Sequence, residues 1–322
     1  MNIYLTGSIA YDYLMTFPGY FKDHILPEHL ESLSLSFLVD DMVRQPGGVA
    51  ANIAYTLALL GEKPHLVATA GVDFSEYRST LEKAGVDTSG VKIIENKFTA
   101  SFFVNTDQSN AQIASFYAGA MADAGQISMS DLGLAPDDIV MISPNAPDAM
   151  IKYAHECQIL GVRYIFDPSQ QIVRLNGEDL KLGVQGAHAL FVNEYEFELL
   201  QKHSHLNADE IINSVAFAVI THGKDGCQVY EAGKLRGEVP VFLPLKIVDP
   251  TGVGDAFRAG FLKGYMHDLD LLLCAQIGAL AATFCLEEKG TQKQCYRIDD
   301  FIKRFRTQFD DKGILDTFLE KE

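Results

Sequence analysis

The sequence lacks the cysteine patterns of a secreted or zinc-binding protein. Its five cysteines include no C-x-x-C pair and stand at positions 157, 227, 274, 285 and 295. The nine histidines are scattered, and no cluster of cysteine and histidine has the spacing of a metal site. An odd number of dispersed cysteines is typical of reduced thiols, so we expect a cytoplasmic protein without disulfides or zinc.

Positive charge is also scarce in this chain. Lysine and arginine total 26 against 43 aspartate and glutamate residues, which gives a formal net charge of −17. Proteins whose main partner is a nucleic acid or an anionic membrane usually carry a basic surface. The charge therefore argues against both kinds of partner.

Long uninterrupted hydrophobic runs are missing as well. The most apolar stretch, residues 269–286, is interrupted by Asp270 and Gln276, which favours a buried helix over a membrane span. No lysine or arginine precedes Lys22, so the N-terminus does not have the basic-then-apolar order of a signal peptide. We expect no membrane-spanning segment and no secretion.

What the chain does contain is an alternation of short apolar runs and longer helical patterns. Its 322 residues are 48% hydrophobic, enough for a sizeable core in two domains or in one large domain with an appendage. Strands that alternate with helices of this length predict β-α-β units and a mostly parallel sheet. The predicted strands are 3–5, 65–70, 139–142, 163–166, 189–192 and 216–221, and the predicted helices are 49–60, 75–84, 146–160 and 194–202.

Two stretches, at about 12–44 and 99–118, break this rhythm. They carry aromatic and β-branched residues without a good intervening helix, and residues 100–104 and 113–117 are typical of strands. We predict a separate small sheet. As a flap over the ends of the parallel sheet, it would lie where open α/β folds bind ligands. The alternative is a surface excursion without function.

The strongest local signal spans residues 249–261, which read D-P-T-G-V-G-D-A-F-R-A-G-F. Gly252 and Gly254 bracket a small turn, and an apolar helical pattern follows at once. The N–H groups of such a turn, with the positive end of the helix, form an anion site. Asp255 is either a capping acid or a carboxylate that takes a proton from a hydroxyl attacking a phosphate. The local sequence leaves both roles open.

Other phosphate-binding motifs do not fit this chain. A dinucleotide fingerprint would need a third glycine at position 257, where the sequence has Phe257, and no G-x-x-x-x-G-K-[ST] loop occurs. The H-R-D triplet of protein kinases is missing too. The glycine-rich turn therefore predicts neither a dehydrogenase, a P-loop enzyme nor a protein kinase.

Three weaker signals accompany this turn. Gly47 and Gly48 would let a ligand approach the backbone, and Asn52, early in the following helix, could donate to and accept from sugar hydroxyls. Residues 193–196 (N-E-Y-E) and 221–226 (T-H-G-K-D-G) each follow a predicted strand, where ligands gather in parallel sheets. Taken alone, the segments 193–196 and 221–226 are better explained as ordinary turns, and Asn52 could simply bond nearby backbone; the shared position of the two segments after strands is what favours a binding role.

Together these segments resemble the ribokinase/PfkB family of sugar and nucleoside kinases, and within it the bacterial adenosine kinases, essentially from end to end. Residues 47–52 match the first family signature, and residues 249–260 match the second, D-T-x-G-x-G-D. Pro250 replaces the usual threonine and Val253 the common alanine, but neither change removes a glycine or the aspartate. The resemblance implies a ribokinase-like fold: a Rossmann-like, mostly parallel central sheet flanked by helices, with a small β-sheet lid formed by the two inserted stretches.

The resemblance also implies roles for single residues. Asp255 would be the general base, and the amides of residues 252–254 would hold the charge of the transferred phosphoryl group. Glu196 would organise Mg²⁺ through water. The implied substrate-binding residues are Ser8, Asp12, Ser36, Gly47, Gly48, Asn52, Phe102, Phe116, Gln170 and Gln171, and the implied ATP-binding residues are Asn193, Thr221, Gly223, Gly226 and Gly254, with Gly252, Val253 and Gly254 as the anion hole.

The choice of substrate depends on residues of the lid. By the resemblance, Phe102 and Phe116 would stack on a purine, a contact worth about 1–3 kcal/mol per base, although both rings could instead form the lid core. Gln170 and Gln171 could contact the edge of adenine. The resulting hypothesis is an ATP- and Mg²⁺-dependent kinase that phosphorylates the 5′-hydroxyl of adenosine to give AMP in purine salvage.

Two kinds of alternative stay open from the sequence. One is a kinase of the same family for ribose, another sugar, or another nucleoside such as guanosine or inosine. The other is a nucleoside sensor without catalysis. The sequence also leaves a K⁺ requirement undecided, and the edges of a lid sheet are compatible with a homodimer.

Overall fold

The computed structural model describes residues 1–25 and 34–319. Within these ranges the strands are β1 (Ile3–Thr6), β2 (Ala10–Thr16), β3 (Asp41–Gly47), β4 (His65–Gly71), β5 (Val91–Ile94), β6 (Ala100–Thr106), β7 (Gln112–Tyr117), β8 (Ile139–Ile142), β9 (Arg163–Phe166), β10 (Ala189–Asn193), β11 (Phe217–Thr221), β12 (Cys227–Glu231) and β13 (Lys234–Val239). The α-helices are α1 (Val49–Leu59), α2 (Ser75–Ala84), α3 (Pro147–Leu160), α4 (Gly177–Gln185), α5 (Glu194–Ser204), α6 (Ala208–Asn213), α7 (Val253–Met266), α8 (Leu271–Leu286) and α9 (Ile298–Phe305).

The large sheet has the order β13-β12-β11-β10-β9-β8-β1-β4-β5. The strands from β11 through to β5 pair in parallel, and β12 and β13 add an antiparallel edge. The predicted mostly parallel sheet is confirmed, and its predicted strands and helices agree with the structure to within about two residues. The antiparallel edge was not predicted, because a hairpin of half-exposed residues lacks a strong apolar run.

The order in which the polypeptide adds strands to this sheet reverses beside β1. From β1 it continues outward to β4 and β5 on one side, and later to β8 through β11 on the other. Ligands of open α/β sheets bind at the carboxyl ends of the strands where the order reverses in this way. A ligand site is therefore expected beside the residues that follow β1 and β8.

Two apolar layers cover the faces of the large sheet. β1 and β8 are buried at every residue, as expected for parallel strands with helices on both sides. Helices α7 and α8 approach closely because Gly260 and Gly278 face the opposite backbone. A Cβ at Gly260 would lie 2.7 Å from the Ile277 carbonyl oxygen, and one at Gly278 would lie 2.7 Å from the Phe257 carbonyl oxygen. This contact fixes α7, whose first turn carries Asp255.

The small sheet has the order β3-β2-β6-β7 and is built from the two stretches that break the helical rhythm. β2 pairs antiparallel with β3 and parallel with β6, and β6 pairs antiparallel with β7. Every residue of β7 is exposed, in contrast to the buried strands of the large sheet. A small sheet was predicted and is present, although β2 begins at Ala10 and residues 26–33 lie outside the described part of the chain.

None of the helices in the described ranges is both long and apolar enough to cross a membrane. The apolar stretch near the C-terminal end forms α8, and most of its residues are buried against the rest of the domain. The prediction of a buried helix there is confirmed.

Candidate active site

A cavity of about 520 Å³ opens between the carboxyl ends of the large sheet and the small sheet. Its walls come from the turns after β1, β8 and β9, from the first turns of α1 and α7, and from β2, β6 and β7. Ten of the predicted site residues line it: Ser8, Asp12, Gly48, Asn52, Phe102, Phe116, Gln170, Gln171, Gly252 and Asp255.

The start of α1 is fixed by Gly48. Its φ is +94°, and a Cβ there would lie 2.6 Å from the Ala10 amide nitrogen and 2.6 Å from the Ser8 carbonyl oxygen. Only glycine fits such a position without moving backbone. The Val49 amide then donates to the Ser8 hydroxyl at 3.0 Å, which satisfies a free donor of the first turn. As a result α1 points its N-terminus and Asn52 at the cavity.

The start of α7 is fixed by a second glycine turn. Gly252 is the N-cap, with φ at +77°, and Asp249 holds the turn by accepting from the amides of Thr251 at 2.9 Å and Gly290 at 3.0 Å. The Val253 amide makes only a long 3.4 Å bond to the Pro250 carbonyl. The first amides of a helix have no partner within it, so this end of α7 offers N–H groups and positive potential to an anion.

Asp255 lies in the first turn of α7 and faces Asn52. The Asn52 side-chain amide donates to Asp255 Oδ2 at 2.8 Å. Burial raises the pKa of Asp255 to about 6, and this hydrogen bond and the nearby Arg258 oppose the rise. At neutral pH the group is therefore ionised but basic, which suits proton transfer better than an ordinary aspartate.

Arg258, one turn further along α7, ties the helix to the end of β9. It donates to Asp167 Oδ1 at 2.6 Å and to the Gly254 carbonyl at 3.0 Å. Asp167 is fully buried and Arg258 is 8% exposed, so the charges of this pair are shielded from water. Because the pair fixes the first turn of α7, it also fixes the direction in which Asp255 points.

Asp12, on β2, is a second carboxylate in the cavity. Burial, with a smaller contribution from Asp249, raises the pKa of Asp12 to about 6. A Cβ at Gly47 would lie 2.6 Å from Asp12 Oδ2, so a larger residue at position 47 would displace this carboxylate. Gly47 does not itself line the cavity, but it makes room for a residue that does.

Two phenylalanines form the wall that the small sheet contributes. Phe102 on β6 and Phe116 on β7 are paired across the strands, and Phe116 is 52% exposed. Successive residues of a strand face opposite sides, so Phe103 lies on the other face, where it stacks on Tyr13 with ring centroids 4.7 Å apart. Phe102 and Phe116 therefore present apolar surface to the cavity rather than to a lid core.

The turn after β9 brings both predicted glutamines to the cavity. Gln170 is exposed, whereas Gln171 is only 5% exposed. The Oε1 atom of Gln171 is buried and accepts no hydrogen bond from any residue in the described ranges. A buried amide oxygen without a partner is costly, and a ligand donor in the cavity would satisfy it.

The predicted ATP-binding residues lie outside this cavity, at the ends of β10 and β11. Asn193 and Thr221 are paired neighbours there, and Gly223 and Gly226 follow Thr221 in a turn. Gly254, in the first turn of α7, also lies beyond the cavity lining. The carboxyl ends of β10 and β11 thus form an exposed shelf that continues the row of strand ends from β9.

Glu196 is the N3 residue of a capping box at the start of α5. Its Oε2 accepts from the Asn193 amide at 2.8 Å, its Oε1 accepts from the Ser169 hydroxyl at 2.9 Å, and the Glu196 amide donates to Asn193 Oδ1 at 2.8 Å. No group of three or more histidine, cysteine or acidic residues within the described ranges is arranged to hold a metal ion. Each oxygen of Glu196 keeps a lone pair for a water, which fits Mg²⁺ bound mainly through water and phosphate.

Ser36 is the predicted site residue that the structure places furthest from expectation. It is exposed in the segment 34–40 and does not line the cavity. β3 runs from Asp41, beside Thr16 at the far end of β2, to Gly47 at the cavity end. The chain before Asp41 therefore joins the sheet at the end away from the cavity.

Several lining residues were missed by the sequence analysis. One of them is Arg174, the positively charged residue of the cavity lining. No motif in the neighbouring sequence indicates a binding role for this residue. Thr251 belongs to the predicted turn and could have been included. Val49 likewise lies within the signature at 47–52. The others are brought in by the tertiary fold alone: Ala10, Met121, Pro144 and Thr291.

A model for pfkB family carbohydrate kinases matches residues 10–298. The chain belongs to this family. It is therefore a phosphotransferase that acts on a hydroxyl group, and the resemblance seen in its motifs is confirmed.

Relatives within the PfkB family include several nucleoside kinases. A nucleoside kinase of Methanothermobacter thermautotrophicus is 28% identical over 96% of both chains, and a cytidine kinase of Thermococcus kodakarensis is 30% identical over 83% of this chain and 97% of its own. A Burkholderia thailandensis nucleoside kinase, solved in complex with inosine, is 31% identical, with a TM-score of 0.84 over 95% of this chain and 98% of its own. The same kinase has been solved with ADP-inosine, at 32% identity and a TM-score of 0.82, covering 95% of this chain and 96% of that one.

Proposed function

We propose that this PfkB-family protein transfers the γ-phosphoryl group of ATP to the 5′-hydroxyl of adenosine, giving AMP for purine salvage. The observation that carries the proposal is the composition of one cavity. It combines the Asp255 carboxylate, the polar pair Asp12 and Asn52, and the rings of Phe102 and Phe116. A proton acceptor, partners for ribose hydroxyls and a surface for a base are the three elements that a nucleoside kinase needs.

Asp255 is the proposed general base. Because its pKa is raised to about 6, it is ionised at neutral pH and still basic enough to take the proton of the 5′-hydroxyl. The hydroxyl oxygen then forms a bond to the γ-phosphorus as the bond from that phosphorus to the ADP oxygen breaks. Asn52 remains hydrogen-bonded to Asp255 Oδ2, which leaves the other carboxylate oxygen for the substrate.

The amides at the start of α7 are the proposed stabilisers of the transferred group. Charge spreads over the γ-phosphoryl oxygens in the transition state, and N–H groups aimed at that point lower its energy. Gly252 and Gly254 carry the amides best suited for this, since the Val253 amide already has a weak partner in Pro250. This local cradle explains how a chain of net charge −17 can bind the polyanion ATP without a basic surface.

The shelf at the ends of β10 and β11 is the proposed ATP site, with Asn193, Thr221, Gly223 and Gly226 beside the nucleotide. Glu196 would hold Mg²⁺ through water, and the ion would neutralise charge on the phosphates. The shelf and the cavity are adjacent along the row of strand ends. This order would bring the γ-phosphate of a nucleotide on the shelf toward Asp255.

Adenosine is preferred over a free sugar because the cavity has more apolar wall than a pentose can cover. Phe102 and Phe116 would stack on the base, and Gln171 would satisfy its buried Oε1 with the exocyclic amino group of adenine. Inosine is the second candidate, since the Burkholderia thailandensis kinase with the same fold was solved with it. The amide of Gln171 turned by 180° would donate to the hypoxanthine oxygen instead.

The test is phosphorylation of a substrate panel at matched concentrations. ADP formation from ATP and Mg²⁺ is measured with adenosine, inosine, guanosine, cytidine, ribose and fructose 6-phosphate, and the product is identified by ³¹P NMR. We expect adenosine to have the highest kcat/KM and AMP to be its product. A higher kcat/KM for inosine would favour the second candidate, and a preference for ribose or fructose 6-phosphate would contradict stacking on a base.

A further inference from the structure

Behind Asp255 lies a chain of buried hydrogen bonds. Asn52 Oδ1 accepts from Gln292 Nε2 at 2.9 Å, and the same nitrogen donates to Tyr77 Oη at 2.5 Å. The Tyr77 hydroxyl in turn donates to the Gly47 carbonyl at 2.9 Å. The path from the Gly47 backbone to the Asp255 carboxylate therefore passes through three side chains from distant parts of the sequence.

The donor and acceptor roles along this series of hydrogen bonds are fixed by the Gly47 carbonyl at its backbone end. A carbonyl oxygen can only accept, so Tyr77 must use its single proton on Gly47. The Tyr77 oxygen can then only accept, which requires the amino end of the Gln292 amide to face it. The second proton of that amino group goes to Asn52 Oδ1. Asn52 consequently turns its own amino group toward Asp255.

The orientation of Asn52 matters because the two ends of an amide have the same shape and opposite polarity. With the amino group toward Asp255, a donor faces the carboxylate and favours its ionised form. With the amide rotated by 180°, Oδ1 would face the carboxylate, and the two acceptors could meet only if Asp255 held a proton. Nothing in the local geometry of α1 selects between these states, so a neighbour must do so.

Because the side chains of this hydrogen-bond chain are buried, water cannot take over the role of orienting the Asn52 amide. Asn52 is 5% exposed, Gln292 7% and Tyr77 3%. The Oε1 atom of Gln292 is buried and accepts no hydrogen bond from the described part of the chain. The amide of Gln292 is therefore oriented by its two donor bonds and not by its oxygen.

We propose that Gln292, anchored by Tyr77, is a positioning residue that holds the Asn52 amino group toward Asp255 and so keeps that carboxylate in its proton-accepting form. The proposal rests on the proposed role of Asp255 as general base. It adds a function for a residue of the segment after α8, 37 positions beyond Asp255 and 240 beyond Asn52.

Other groups around Asp255 also affect its pKa. Arg258 favours the ionised form, whereas burial, Asp167 and Asp12 oppose it. Tyr77 and Cys285 also interact electrostatically with Asp255, from α2 and α8. Replacement of Gln292 by an apolar residue leaves all of these groups in place, so a change in the titration of Asp255 reports on the hydrogen-bond chain.

The deciding experiment compares Gln292→Leu with Gln294→Leu. Gln294 is a matched control: it lies two residues away, is 1% exposed, has a buried Oε1 without a partner in the described ranges, and donates to a side chain of α1, that of Thr56, at 3.0 Å. Within the part of the chain that the structure describes, the Gln294 side chain makes no hydrogen bond to Asp255 or Asn52. The Asp255 titration is followed by NMR of protein labelled with ¹³C at the aspartate carboxyls, with the signal assigned by Asp255→Asn.

In Gln292→Leu we expect the pKa of Asp255 to rise by about one unit, since a hydrogen bond to a charged group is partly lost. The acid limb of the kcat profile should move by the same amount, so kcat should fall about tenfold well below pH 6 but only about twofold at pH 7. Gln294→Leu should move neither, even if it lowers thermal stability as much. Tyr77→Phe, which keeps the ring and removes the hydroxyl, should shift the titration in the same direction by less.

An unchanged Asp255 titration in Gln292→Leu, or an equal shift in Gln294→Leu, would overturn the proposal. If Gln292→Leu does not fold, Tyr77→Phe decides by the same titration. The proposed base role fails separately. Should Gln292→Leu shift the titration while Asp255→Asn keeps the parent kcat, Gln292 positions the carboxylate but Asp255 is not the base.

Discussion

The wall of the cavity that carries Asp255 and the wall that carries Phe116 are built in opposite ways. Asp255 is held by Asn52, and behind it buried hydrogen bonds reach back to Gly47. Phe116 is 52% exposed on a strand whose residues are all exposed. The first wall is fixed before a ligand arrives, whereas the second still has apolar surface to bury.

This contrast matches what each wall is proposed to do. A general base and an anion cradle act only if they are already in place when the phosphoryl group transfers, because reorganisation would add to the barrier. A surface that stacks on a base gains by becoming buried when the ligand binds. The binding free energy of the base can then close the small sheet and exclude water from the other wall.

The largest effect is expected from a variant that disables only the wall that carries Asp255. Asp255→Asn keeps the size of the side chain and an oxygen that can accept from Asn52, but it cannot take a proton. We expect kcat to fall by about 10²–10⁴-fold with nearly unchanged affinity for adenosine. Steady-state kinetics and a binding titration measure the two quantities. An unimpaired kcat would refute the assignment of the base.

The pH profile tests whether both carboxylates of the cavity must be ionised. The pKa of Asp255 and that of Asp12 are each raised to about 6, so both become protonated on the acid side of this value. We expect kcat/KM for adenosine to fall by about tenfold per pH unit for each required group below pH 6. The slope of log kcat/KM should approach 2 in the parent and 1 in Asp12→Asn. A parent enzyme with flat kcat/KM down to pH 5 would contradict the raised pKa values.

The exposed wall can be disabled by Phe116→Ala. We expect KM for adenosine to rise about tenfold, in line with about 1–3 kcal/mol for a base stacked on an aromatic ring, and phosphorylation of free ribose to change little. Phe103→Ala is the matched control, because Phe103 lies on the neighbouring strand and faces the other side of the small sheet. Equal losses for adenosine and ribose, or equal effects of the two variants, would argue against stacking.

The smallest expected effect is on stability. A pKa of Asp255 raised from 3.8 to about 6 means that the folded protein binds this proton more tightly than the unfolded chain. Ionised Asp255 therefore destabilises the fold increasingly as the pH rises from about 4 to 6, and fully above 6. Asp255→Asn should raise the Tm by about 2 °C at pH 7.5 and not at pH 4. A lower Tm at pH 7.5 would mean that the charge is well solvated or well paired.

Much of this architecture could be predicted from the sequence because its signals are local. Parallel strands such as β1 and β8 are continuous apolar runs, and helices such as α2 end at glycine in a left-handed conformation. The glycine turn at 252–254 was readable for the same reason. By contrast β12 and β13 have few buried residues, and nothing in their composition distinguishes a hairpin from a loop.

The site was predicted in part, and the missing parts have a common cause. Residues that neighbour the glycine signals could be assigned, and most of them line the cavity. Arg174 and Gln292 could not, because each is defined by what it faces across the fold and has no pattern around it. Ser36 shows the converse: its sequence context resembles a binding segment, but β3 joins the small sheet in a direction that leaves the residue exposed outside the cavity.

The sequence by itself determined the class of fold through its hydrophobic period, and it determined the family and the position of the glycine turn before Asp255 through its two glycine motifs. The tertiary structure decided which side chains meet. Asn52, Gln292 and Asp255 come from three separate segments, and only their packing makes one a donor to the next. The orientation of a buried side-chain amide is set by its hydrogen-bond partners. Partners that are distant in the sequence cannot be recognised from the residues on either side of the amide.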